Sequence, residues 1–328
     1  MRRLTTATKI SHNVYLGNSA DALNSVAEYI NSEGKVATKG FDVVIDAKDM
    51  ADIPSAALLK DAESILNGGA MVEPPLARLG SWYARCLTRP VALEFPSSTP
   101  PASNRHDPNT IVSFCEWIYR IAHTPTVPQQ IEDCVMANTP KPEDPAASAR
   151  TILIHCQDGY TESTFLGLAY LIFSEGITAH EAWVRLHRDL QRSFFAFETD
   201  LKALIYLQPY LLARSPTSSS FQRLSSLSSM PAWFTNPAFD GSFPSRVLPH
   251  MYLGNLQHAN NPEMLRTLGI TRVLSIGEQV IWNMEKELDA GMLLLYLDNV
   301  QDNGIDPLLN YIDRCLDFLG IMFLSTFY

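Results

Sequence analysis

The sequence predicts an α/β fold, a sheet with helices packed around it, followed by part of a second copy of that fold. Three observations predict it. Short β-prone runs alternate with helical patterns through the first part of the chain. A glycine-containing turn joins a strand end to a helix start at residues 155–163, the place where open α/β sheets carry their sites. A motif near the N-terminus also returns late in the chain, at a distance that suits a domain duplication.

The elements follow in order. Val14 to Leu16, Val43 to Asp46, Val91 to Phe95 and Ile152 to His155 are the strand runs, rich in branched side chains that suit a pleated sheet. Ala20 to Ile30, Pro54 to Leu66 and Asn109 to Ile121 carry helical spacing. Past the turn, Phe165, Leu168, Ala169 and Ile172 fall on one helical face and Gly176 stands where that helix should stop. Thr178 and Glu181 form a capping-box pattern that opens the next helix. The proline-rich, acidic stretch Thr124 to Arg150 interrupts the pattern, and reads as a surface insertion because buried irregular backbone would leave polar groups unpaired.

The repeat pairs Ile10-Ser-His-Asn-Val-Tyr15-Leu16-Gly17-Asn18 with Val247-Leu-Pro-His-Met-Tyr252-Leu253-Gly254-Asn255. In each copy a glycine and a β-branched run come next, Gly40 to Asp46 and Gly269 to Ile276. The expected organisation is therefore a first domain over residues 1–213, a linker over 214–245 and the N-terminal half of a second domain over 246–328. The linker is rich in Ser and Pro, with aromatics expected to be exposed, and cannot bury a core of its own. The second copy offers strands at Arg272 to Ile276 and Leu293 to Asp298, an acidic loop, and a helix from Pro307 to Leu319. Reaching Tyr328 before any second cysteine loop, it is expected not to pack as a normal domain alone.

Composition narrows the function classes. With 328 residues, 46% hydrophobic and 18% charged, the chain has mass for more than one core. A formal net charge of −10 argues against nucleic acid or an anionic membrane as the main partner. No apolar stretch follows Arg2-Arg3 as a signal peptide requires, and none reaches the length of a membrane span. Five scattered cysteines, Cys86, Cys115, Cys134, Cys156 and Cys315, suit a reducing cytoplasm or nucleus and give no zinc spacing.

The chemistry concentrates at His155-Cys156-Gln157-Asp158-Gly159-Tyr160-Thr161-Glu162-Ser163. A cysteine that ends a strand before a helix N-terminus has its sulfur among backbone N–H groups, at the positive end of a helix dipole. Such surroundings favour a nucleophilic thiolate and cradle the oxygens of a phosphate. Gly159 supplies the tight backbone, while Ser163 caps the helix or hydrogen-bonds the sulfur. The competing reading makes Cys156 a small buried hydrophobe at the end of a core strand.

His155, Cys156, Gly159 and Ser163 match in register the His-Cys-x-x-Gly-x-x-Arg-Ser signature of protein-tyrosine and dual-specificity phosphatases, which the chain resembles. The helical segments Thr164 to Glu175, Thr178 to Arg192 and Glu198 to Leu212 fit that family's helical half, and the Tyr-Leu-Gly segment its first strand. Together with the second copy, the loop looks closest to fungal dual-specificity phosphatases with tandem phosphatase modules. The resemblance implies a phosphatase-type central sheet, a phosphorylated protein as partner and no cofactor or metal.

The match fails at Glu162, where the family has its arginine. That arginine clamps two phosphate oxygens as a planar fork, and a carboxylate has the wrong sign and no donors for the task. Asp158 adds a second negative group within the loop. The acid that protonates the leaving oxygen should lie after the third strand, where Asp107 is the available carboxylate. Asp107 also suits the start of the helix that follows. In the second copy Asp302 matches the acid position better, yet its own copy has no cysteine. The sequence thus reads as a weakened or inactive phosphatase-family protein, with a low-efficiency enzyme using Cys156 and a non-catalytic interaction module as the alternatives. His180, His187, Arg185, Arg188 and Arg192 read as solvent-facing groups on a helix.

Overall fold

The computed structural model describes residues 6–24, 26–30, 36–67, 90–97, 107–124, 149–217, 230–236, 239–298, 300, 305 and 308–320. The chain divides into two compact units, residues 1–229 and 230–328.

Unit 1 runs β1 (Thr8–Ser11), β2 (Val14–Asn18), α1 (Ser19–Asn24), β3 (Val26–Ile30), β4 (Val36–Gly40), β5 (Val43–Lys48), α2 (Ala56–Leu66), β6 (Val91–Pro96) and α3 (Pro108–His123). It continues with β7 (Ile152–Cys156), α4 (Thr164–Glu175), α5 (Ala179–Val184), a π-helical turn at Arg185–Asp189 and α6 (Glu198–Arg214). Five strands form one sheet in the order β1-β2-β7-β5-β6, so the α/β expectation holds. β7 lies between β2 and β5, parallel to both, with Ile152 beside Val14 on one side and Val43 on the other. All five of its residues are buried, as a strand covered on both faces requires. The helix α4 is buried over all but its last residue, which explains why its polar face is missing from the sequence. Gly176 ends it in the left-handed conformation, and the Thr178–Glu181 capping box opens α5.

Three expectations need correction. The helical spacing from Ala20 to Ile30 yields only the short α1, and Val26–Ile30 instead forms an antiparallel pair with Val36–Gly40. The β-branched and aromatic residues Val26, Tyr29 and Ile30 favour strand once a partner strand is available. Arg192 and His187 are not solvent-facing. His187 packs edge-on against Phe194, and Arg192 is 1% exposed. Four aromatics of the expected linker, Trp233, Phe234, Phe239 and Phe243, are also buried. Within unit 2, the helix α7 (Ala232–Thr235) sets Trp233 and Phe234 against Phe239 and Phe243, with ring centroids 5.4–5.9 Å apart. Edge and tilted ring contacts of this kind give a small core of their own. The insertion over 124–150 lies almost wholly outside the described residues.

Unit 2 goes on with β8 (Ser245–Leu248), β9 (Met251–Leu253), α8 (Leu256–Ala259), α9 (Pro262–Thr267), β10 (Arg272–Ile276), α10 (Met284–Asp289), β11 (Leu293–Leu297) and α11 (Ile312–Leu319). Its elements repeat those of unit 1 in register. Hairpin β1–β2 pairs Thr8 with Leu16, Lys9 with Tyr15 and Ser11 with Val14, shifting register between Lys9 and Ser11. Hairpin β8–β9 pairs Ser245 with Leu253, Arg246 with Tyr252 and Leu248 with Met251, with the same shift. The next turn is also shared. Asn18 and Asp21 exchange backbone-to-side-chain hydrogen bonds, and Asn255 and His258 do the same at the start of α8. Both units then place a parallel pair, β5–β6 and β10–β11. Cys115 and Cys315 are each buried on the helix that follows. Among the described residues, no helix is long and apolar enough to cross a membrane.

Arg192 and Trp233 are the testable anchors. Arg192→Lys keeps a charge but loses the planar fork that serves several acceptors, so unfolding of unit 1 should become easier by about 2 kcal/mol, read from its denaturant midpoint. Trp233→Ala should cost about 3 kcal/mol or more and speed proteolysis within residues 230–298, leaving the protection of β7 amides unchanged.

Candidate functional site

The Cys loop is the turn from β7 into α4. β7 brings Cys156 to the carboxyl end of the sheet, and Ser163 is the residue before the first turn of α4. Backbone carbonyls of the loop are held from outside it. Ser19 Oγ donates to Gln157 O at 2.9 Å, Arg192 Nη2 to Gly159 O at 2.5 Å, and both Phe195 N and Thr164 Oγ1 to Tyr160 O at 2.9 and 3.0 Å. Anchoring carbonyls outward leaves N–H groups to face the interior of the turn. One of them, Gly159 N–H, donates to Cys156 Sγ at 3.2 Å.

Gly159 has no substitute in this arrangement. Its φ is +72°, and a Cβ there would lie 2.6 Å from both Arg192 Nη2 and Gly17 O. Loop, β2 and Arg192 therefore close on one another through the missing side chain.

Arg192, expected from the sequence to face solvent, is instead part of the site. It also donates to Leu16 O at 2.9 Å and Thr8 Oγ1 at 3.1 Å, so one guanidinium ties β1 and β2 to the loop. Burial pulls its pKa down, opposed by the nearby Asp21, Cys156 and Asp158. Its flanking residues in the sequence are as polar as those of an exposed arginine, and only the three-dimensional closure shows where it goes. Arg185 and Arg188, by contrast, sit at the surface in ion pairs with Glu175 and Asp189.

The interior of the loop is acidic. Donor atoms of Cys156, Asp158 and Glu162 all lie within 4.8 Å of one another. Asp158 Oδ1 stands 3.5 Å from the sulfur and also accepts from Tyr160 N at 2.8 Å. Glu162 Oε2 is buried without a hydrogen-bond partner. Ser163 Oγ lies 3.3 Å from the sulfur and makes no capping bond, so of its two expected roles it takes the one at Cys156. Three such donors could hold a divalent cation by count. The N–H aimed at the sulfur and the positive end of α4 oppose one.

His155 Nδ1 is 3.8 Å from Asp46 Oδ1, too long for a hydrogen bond. Burial lowers its pKa, with Asp46 and the Cys156 backbone pulling the other way. Tyr160 has its pKa raised by burial and by Asp158; Gln157 and Thr161 complete the turn.

Asp107 caps α3, accepting from Asn109 N at 3.0 Å and from Asn109 Nδ2 at 2.8 Å. The residues just before it, 98–106, and Asp302, the other expected acid, lie outside the described residues.

No family model matches the chain. A search of curated proteins finds the dual specificity protein phosphatase PPS1 of Saccharomyces cerevisiae, 30% identical over 240 residues, covering 51% of this chain and 29% of that protein. The chain thus spans under a third of that relative's length. Among solved structures, one described as Tk-PTP in the active form aligns at 15% identity with a TM-score of 0.31, over 64% of this chain and 97% of the other. Over those 240 residues the chain is similar to that dual specificity protein phosphatase, and its cysteine stands at the strand-to-helix turn of an α/β sheet.

Proposed function

We propose that unit 1 is a dual-specificity-type phosphatase module that has kept the loop scaffold and lost efficient hydrolysis, and that engages phosphorylated proteins or the machinery acting on them without turning them over. The supporting observation is Glu162. Its buried, unpartnered Oε2 and the Asp158 carboxylate stand beside the sulfur, where an incoming phosphate would need positive charge.

Hydrolysis by a cysteine needs an in-line sulfur, donors for the equatorial oxygens and an acid for the leaving oxygen. The sulfur and at least one loop N–H are in place. The clamp is absent and its sign inverted. Unit charges about 4 Å apart interact by roughly 4 kcal/mol at an effective dielectric of 20, so replacing attraction by repulsion removes on the order of three decades or more in rate.

Residues 246–328 are, on the same reading, the first half of a second module. The shared hairpin register and the shared turn after it support a duplication.

The intact dressing of Cys156 favours one alternative, a slow enzyme, and a single pair of measurements separates the two. The natural chain is expected to show no turnover of a small aryl phosphate above that of Cys156→Ser; turnover that Cys156→Ser abolishes would establish the slow enzyme instead. Glu162→Arg is expected to raise affinity for orthovanadate by about a thousandfold, measured by calorimetry. An unchanged affinity would mean that the loop is no phosphate cradle.

A further inference from the structure

The turn after the first hairpin is closed by the same pair of hydrogen bonds in both units, but by side chains of different chemistry. In unit 1, Asn18 N–H donates to Asp21 Oδ2 at 2.9 Å and Asp21 N–H to Asn18 Oδ1 at 3.0 Å. In unit 2, Asn255 N–H donates to His258 Nδ1 at 3.2 Å and His258 N–H to Asn255 Oδ1 at 2.8 Å. An imidazole nitrogen thus stands where unit 1 has a carboxyl oxygen. A carboxyl group keeps acceptor capacity in either protonation state, whereas an imidazole nitrogen accepts only while it is unprotonated.

That bond fixes the tautomer. With Nδ1 accepting, the ring proton is on Nε2, 2.8 Å from Ser242 Oγ. Ser242 therefore accepts from the ring and gives its own proton to Asp240 Oδ1 at 2.7 Å, which also accepts from Ser242 N–H at 2.8 Å. Serine, histidine and aspartate meet here in the opposite sense to a hydrolytic triad, because neither ring nitrogen is placed to take the serine proton. Protonating the ring turns Nδ1 into a second donor facing Asn255 N–H. Rotating the ring restores nothing, since both nitrogens of an imidazolium donate. The charged residues on segments around α8 are Asp240, Arg246, Glu263, Arg266, Arg272 and Glu278. Of these, Asp240 acts on the ring, and it favours the charged form.

We propose that His258 is a pH-dependent switch in unit 2: neutral, it closes the start of α8 on Asn255; protonated, it releases Asn255 and holds the Ser242–Asp240 turn instead. The equivalent cap of unit 1, built on Asp21, stays closed over the same range. Burial lowers the His258 pKa below its ordinary 6.5, opposed by Asp240 and the Ser242 backbone. The unfolded chain therefore takes up the proton first as pH falls. The stability that His258 confers on unit 2 is complete above about pH 6.5 and declines as pH falls towards the folded pKa.

Amide hydrogen exchange of the full chain, corrected for intrinsic rates and followed between about pH 7.5 and about pH 5, reads the switch. Loss of one capping bond should speed opening at Asn255 about fivefold at the acid end, while the Ser242 and Asn18 amides keep their protection. The step should coincide with the titration of the His258 ring followed by NMR. His258→Gln supplies a capping-box acceptor that does not titrate and should abolish the step; Asp240→Asn should move it to lower pH. No step at Asn255, a step that survives His258→Gln, or an equal step at Asn18 overturns the switch. So does a midpoint that Asp240→Asn leaves in place, or a ring already protonated on Nδ1 at about pH 7.5.

Discussion

Everything in unit 1 depends on the parallel pairing of β7 between β2 and β5. That one strand closes the sheet, carries Cys156 to its carboxyl end and fixes the direction in which the chain enters α4. Its five buried residues are affordable only because helices cover both faces of the sheet, and α4, itself buried nearly throughout, supplies much of that cover. Without it, the antiparallel hairpin β1–β2 and the parallel pair β5–β6 would have no common strand; unit 2 has a similar hairpin and parallel pair, in separate sheets among the described residues.

The loop illustrates how scaffold and chemistry separate. The fold of the turn is determined by where its carbonyls go, by the positive φ at Gly159 and by Arg192, which bonds at once to β1, β2 and the loop. None of these contacts involves position 162. The charge carried at position 162 is therefore independent of the contacts that hold the loop backbone. Preserved geometry is accordingly poor evidence for preserved catalysis, since the groups that shape the loop differ from those that stabilise a transferring phosphoryl group.

Much of the fold could be read from the residues. The four strands found as β2, β5, β6 and β7 and the helix ending at Gly176 carry strong local signals, either branched apolar runs or a left-handed stop. What could not be read was decided by partners distant in sequence. Residues 26–30 follow helical spacing in isolation and become strand because residues 36–40 return alongside them. Arg192 is polar by composition and central by position, because its acceptors lie on Leu16, Thr8 and Gly159, far along the chain. The aromatics at 233–243 resemble exposed linker residues until they meet one another. At the site, motif spacing located Cys156, Gly159 and Ser163, whereas the orphaned oxygen of Glu162 is visible only with coordinates.

Arg192 also bears on how the loop tolerates its acidity. Its guanidinium interacts with Cys156 and Asp158, and it is held by carbonyls and a hydroxyl. A buried guanidinium satisfied by neutral acceptors retains its full charge toward the groups above it. That charge acts on Cys156 and Asp158 from where β1, β2 and the loop meet, so the guanidinium that ties the three together also supplies the loop's acidic groups with a fixed positive neighbour.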